Sequence, residues 1–112
     1  MSADTENRYD DLIVILDKVM PKVDTELALK VLYYERKMTD VYPSVEMKIS
    51  YRNGTDRERK KDEFFSKYGF QISLHGKNNI FARGNMNMAI IKNIADDQEV
   101  EEITGTASVA SY

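Results

Sequence analysis

The chain contains no cysteine. Neither a disulfide framework nor a thiolate metal site can be built from it, and a chain without disulfides suits the cytoplasm. Histidine occurs once, at His75, so a metal site there would have to recruit carboxylates from elsewhere in the fold. No apolar run approaches the ~20 residues that cross a bilayer. Met1 to Glu6 is polar and acidic, unlike a secretory leader. The chain is therefore expected to be soluble and cytoplasmic, with no membrane span. An excess of positive charge is also missing: 16 basic and 19 acidic residues interleave to a net charge of −3, which argues against a general affinity for nucleic acid. The one basic cluster, Arg57, Arg59, Lys60 and Lys61, is interrupted by Glu58 and flanked by Asp56, Asp62 and Glu63. That pattern reads as a solvated helix face.

What is present fits one folded domain: 112 residues, 42% hydrophobic and 31% charged, too short for two independent cores. Tyr9, Leu12, Ile13, Leu16, Val19 and Met20 recur at helical spacing up to Pro21. Asp24 is placed to cap a second helix with the stripe Leu27, Ala28, Val31, Leu32, Tyr34 and Met38, stopped by Pro43. Residues 7–42 thus read as a helical hairpin.

The period then changes. Val45, Met47, Ile49 and Tyr51 alternate with Glu46, Lys48, Ser50 and Arg52, as in a half-buried strand. After the Asn53-Gly54 turn, Thr55 or Asp56 can cap a helix running to Tyr68, with Gly69 as its stop. Phe64, Phe65 and Tyr68 are its residues to bury. Phe70, Ile72 and Leu74 alternate with Gln71, Ser73 and His75 in a second strand. A loop at Gly76–Asn79 returns the chain through Ile80 to Arg83. Asn85 or Asn87 can cap a helix burying Met88, Ile91, Ile94 and Ala95, and Val100 to Thr106 reads as the last strand. The expected fold is α+β: a ferredoxin-like β-α-β-β-α-β antiparallel sheet over residues 45–106, preceded by the hairpin and followed by a tail at 107–112.

No catalytic set emerges. His75 lacks a nucleophile signature and reads as a surface residue at a strand end. Asp96, Asp97, Glu99, Glu101 and Glu102 match no calcium loop and read as a solvated helix end. Gly84, Asn85 and Asn87 precede a helix whose amides could hold an anion, although capping alone accounts for them. The outward positions Glu46, Lys48, Ser50, Gln71, Ser73 and His75 offer no stacking platform for RNA.

Ile80-Phe81-Ala82-Arg83-Gly84, the helix carrying Ile91 and Ile94, and then Ala95-Asp96-Asp97-Gln98-Glu99-Val100-Glu101-Glu102-Ile103 resemble the second half of the subtilisin propeptides, over residues 45–112. The resemblance implies a protease inhibitor that docks through its open sheet face. It also implies that Val109, Ala110, Ser111 and Tyr112 enter the substrate groove, with Tyr112 in the specificity pocket. The hairpin departs from that family and would obstruct docking if it lay on the open face. The expected function is a non-enzymatic protein-binding module with no cofactor and no metal, its partner a protein such as a subtilisin-type protease. The alternative is a small regulatory or anion-binding domain, a homodimer built through its N-terminal helices.

Overall fold

A computed structural model of the chain describes residues 11–12, 14–16, 18, 20–38 and 42–109. Tyr9, Ile13 and Val19 of the first apolar stripe lie outside the described residues. The protein is α+β. Its four strands, β1 (Ser44–Tyr51), β2 (Gln71–His75), β3 (Asn79–Asn85) and β4 (Val100–Ser108), form one sheet in the order β2-β3-β1-β4. Every neighbouring pair in that order is antiparallel. Of the four helical segments among the described residues, three have defined bounds: α1 (Thr25–Lys37), α2 (Arg57–Tyr68) and α3 (Met88–Ala95). The fourth is helical at 11–12, 14–16 and 18. Among the described residues no helix is long and apolar enough to cross a membrane.

The alternation in β1 sorts its side chains as the pattern predicts. Val45, Met47, Ile49 and Tyr51 are buried, and register sets Ile49 between Ile80 of β3 and Ile103 of β4. Leu16, Met20, Leu27, Ala28, Val31, Phe64, Ile91 and Ile94 belong to the same core. The described helical segments therefore cover one face of the sheet, and the core lies between.

Local signals act where they are expected in α2 and α3. The Asp56 carboxylate accepts from the Arg59 N–H, and Asn87 Oδ1 accepts from the Ile90 N–H, satisfying first-turn donors that have no helical partner. Gly69 ends α2 at φ 72°, a left-handed conformation that suits glycine.

Other expectations need correction. The Asp24 side chain makes no cap bond; the Asp24 N–H instead donates to the Ile103 carbonyl at 2.8 Å, and the Ile103 N–H donates to the Lys22 carbonyl at 2.7 Å. This backbone is drawn into a parallel bridge along the outer edge of β4. The last strand continues to Ser108, so Ala107 and Ser108 are not tail: Ala107 is buried opposite Val45, and Ser108 pairs Ser44. Likewise β3 runs on through Gly84 and Asn85. Ile72 is only half-buried because β2 is an edge strand. Phe65 is 68% exposed; Phe64 and Tyr68, four residues apart, share the inward face of α2, and Phe65 is rotated away from it.

Lys60 departs furthest from its expected place. It lies on the face of α2 that carries Phe64 and is 8% exposed, so the solvated-face reading fails there. Its Nζ donates to Asp97 Oδ2 at 2.7 Å and lies 3.2 Å from Glu99 Oε1.

Candidate functional site

With the described helices on one side, the opposite sheet face is left uncovered. Strand alternation puts Glu46 and Lys48 of β1, Phe81 and Arg83 of β3, Gln71, Ser73 and His75 of β2, and Thr104 and Thr106 of β4 on it. Register arranges them in rows. One row runs Thr104, Lys48, Phe81, Ser73, and the next runs Thr106, Glu46, Arg83, Gln71. Arg83 Nε lies 3.5 Å from Glu46 Oε1, both exposed. The His75 ring meets Phe81 edge to face, with centroids 4.3 Å apart, an arrangement favoured by the aromatic quadrupole. A shallow depression surrounds this pair, bordered by Glu46, Gln71, Ser73 and Arg83. The surface thus carries one aromatic island, bordered by a hydroxyl, an amide and a paired charge. Among the described residues on this face, the acids Glu46 and Glu102 offset Lys48 and Arg83.

Phe81 is the residue that the strand reading left unassigned. The signal was available: if Ile80 and Ala82 face the core, period two sends Phe81 and Arg83 to the other side. His75 is exposed, as expected for a strand end, and its carbonyl accepts from Arg57 Nη1 at 3.2 Å.

The tail candidates are only partly located. Val109 follows β4 and is exposed; Ala110, Ser111 and Tyr112 lie outside the described residues. The three anion candidates each have a local duty. Gly84 allows Phe70 to pass, since a Cβ there would sit 2.5 Å from the Phe70 ring. Asn85 pairs Ser44 within the sheet, and Asn87 caps α3. The Met88 N–H, at the start of that helix, already donates to Glu35 Oε1 at 3.2 Å. A carboxylate of the protein thus occupies the positive end that a free anion would seek.

The acidic run is split by the fold. Asp96 pairs with Lys92 at 3.1 Å, whereas Glu101 and Glu102 are exposed on β4. Asp97 and Glu99 hold Lys60, the Glu99 N–H donates to Asp97 Oδ1 at 2.9 Å, and Lys22 Nζ donates to the Asp97 carbonyl at 3.0 Å. This node joins the turn before α1, helix α2 and the approach to β4. Burial pulls the Lys60 ammonium down, but hydrogen bonds to Asp97 and Glu99 outweigh it and the net shift is upward. Burial likewise raises Asp97, and the bonds from Lys60 and the Glu99 amide turn the net shift downward. The adjacent Tyr51 hydroxyl is buried without a hydrogen-bond partner among the described residues; burial, then Asp97, Glu63 and Glu99, push its pKa up. A charged lysine, an ionised aspartate and a neutral phenol are all fixed further in those states. The ion pairs and hydrogen bonds thus tie three elements together as an internal clamp.

Comparison with protein-family models, with curated proteins and with solved structures finds no match for this chain.

Proposed function

We propose that this chain is a non-enzymatic cytoplasmic protein-binding module that presents the uncovered face of a ferredoxin-like sheet, with inhibition of a subtilisin-type serine protease as its most specific form. The observation that carries the reading is the placement of α1 and the helical segment before it. They pack on the same side as α2 and α3 and lean on the outer edge of β4, so they do not obstruct the face through which a propeptide docks. The sheet order supports the split βαβ reading. Taken from the other edge it runs β4-β1-β3-β2, all antiparallel, with the helices on one side. In this reading Phe81 and His75 form the centre of the contact. Val109 to Tyr112 continue from β4 into the substrate groove.

Titration of the full chain against a subtilisin-type protease with a chromogenic substrate tests it. Inhibition is expected at micromolar concentration. Burying the Tyr112 ring contributes on the order of 2–3 kcal/mol, so removing Ser111 and Tyr112 weakens inhibition roughly tenfold to a hundredfold. The fold is untouched, because β4 ends at Ser108. No inhibition, or equal inhibition by the truncated chain, removes the inhibitor form of the proposal.

A second reading, a regulatory domain that assembles through its N-terminal helices, is favoured by one observation. Leu12, Val14, Ile15 and Tyr33 are exposed there, and Leu12, Leu29, Leu32 and Tyr33 border one open groove.

A further inference from the structure

The two edges of the sheet are treated differently. At β4 the backbone of Lys22–Asp24 bonds to Ile103 from outside, and Glu101 and Glu102 stand exposed on the strand. A covered and charged edge resists pairing with another chain. At β2 the only strand partner among the described residues is β3, so the outer side of Gln71–His75 has no ladder. Gln-Ile-Ser-Leu-His contains no proline, lysine or acidic residue, and its register with β3 is unbroken. Although β2 is the shortest strand of the sheet at 5 residues, it carries neither the proline or charges nor the bulge that commonly blunt an edge. The strand is also held in shape, since Arg57 Nη1 donates to the carbonyls of His75 and Asn79 at 3.2 and 2.9 Å. Beside this edge an open groove runs between α2 and β2, bordered by Lys61, Asp62, Phe65, Phe70 and Ile72.

We infer that β2 pairs with β2 of a second copy of this chain, joining two sheets into one across a twofold axis at Ser73. The strand is self-complementary about that residue. Antiparallel pairing there sets Ile72 against the partner's Leu74 on the helix side, and Gln71 against the partner's His75 on the open side. Each apolar pair occurs twice, as an isologous interface requires. Ile72 and Leu74 are half-buried in the single chain and lose their remaining exposure across the axis. The α2 helices approach above the joined strands, where Phe65 finds the cover that it lacks. Lys61 and Asp62 on the groove rim sum to zero charge, so two copies do not repel there. The uncovered faces of the two sheets then form one surface with two Phe81–His75 islands.

Sedimentation of the full chain over a concentration series, together with two substitutions at the axis, tests this. The expected mass is twice that of one chain. Ser73 is exposed, and Ser73→Lys places like charges directly opposite at the axis, so that variant sediments as a monomer whose melting temperature no longer rises with concentration, unlike that of the parent. Because the chain has no cysteine, Ser73→Cys should cross-link quantitatively under mild oxidation, whereas Thr106→Cys on the far side of the same face should not. A monomer at every concentration, including roughly 100 µM, overturns the inference. So does a dimer that survives Ser73→Lys, or one lost only on Leu12→Asp or Tyr33→Asp, which would locate the contact on the N-terminal helices. Cross-linking of both cysteine variants to the same extent overturns it as well.

Discussion

Replacing Lys60 with methionine keeps most of the aliphatic stem against Phe64 and removes the charge that Asp97 and Glu99 share. The Lys60 side chain is 11% exposed, and the carboxylates are 27% and 36% exposed. Fully exposed ion pairs contribute about 0.2–1 kcal/mol, while removing one partner of a fully buried pair costs about 3–5 kcal/mol. Partial burial places this loss between those limits, at about 2 kcal/mol, or a fall in Tm of roughly 8 °C for a chain of this size. The pH dependence is a sharper check. Asp97 is depressed in the folded chain, so its contribution is present above its unfolded pKa and is lost as pH falls through the folded one. Lys60 is raised, so its contribution is complete below its unfolded pKa and is lost as pH rises through the folded one. The stability gap between parent and Lys60→Met should therefore be a plateau from about pH 5 to about pH 10 that narrows at both ends. Urea unfolding of the parent, Lys60→Met and Asp97→Asn across that range measures it. A gap that stays constant down to about pH 2, or no gap near neutrality, would refute the clamp.

Two glycines should differ although both look crowded. At Gly105 an added Cβ would run into the Glu46 carbonyl oxygen and lie 2.8 Å from Met47 Cα; β1 and β4 must part, so Gly105→Ala should cost about 3 kcal/mol in urea unfolding. Gly84→Ala meets only the Phe70 ring, a side chain and not a strand backbone, but that ring is 2% exposed and stacked on Tyr68, so it yields only in part and the change should cost about 2 kcal/mol. Ile103→Ala removes a fully buried side chain beside Ile49 and should cost about 3 kcal/mol, whereas Thr106→Ala on the open face should change stability by less than about 0.5 kcal/mol. His75→Ala should also leave folding within about 0.5 kcal/mol, while Phe81→Ala should weaken partner binding measured by calorimetry and, by removing the ring pair with His75, lower Tm only slightly.

The residues that behaved as read are those whose burden is local. Period two in Val45–Tyr51 needs only a sheet with one wet face, and Asp56, Gly69 and Asn87 act within a single turn. Lys60 could not be placed this way. Its charge signalled solvent, yet its position four residues before Phe64 points it inward, and its counter-charges lie far along the chain at Asp97 and Glu99. Asp24 has the residue type of a helix cap, but the edge of β4 claims its backbone, a tertiary event with no sequence signature. Phe65 looked like core because aromatic residues usually are; its angular position on α2 was the better guide. For the candidate surface, Glu46, Lys48, Ser73 and His75 were legible from alternation. Phe81 could have been found by carrying the same alternation through Ile80–Arg83.

The bridge between Val23 and Ile103 also bears on the order in which the molecule assembles. The central strand β1 takes its neighbours from β3 and β4, both distant in the chain, and such pairings are slow because long loops must close first. During synthesis, the segment that leads into α1 has no edge to lean on until Val100–Ser108 has emerged. A ribosome-bound chain lacking β4 would hold three strands in the order β2-β3-β1, with Leu27, Ala28 and Val31 still undocked, exposing both an unpaired strand edge and an apolar helix face. β4, made after the other three strands, is thus the one on which the segment leading into α1 settles.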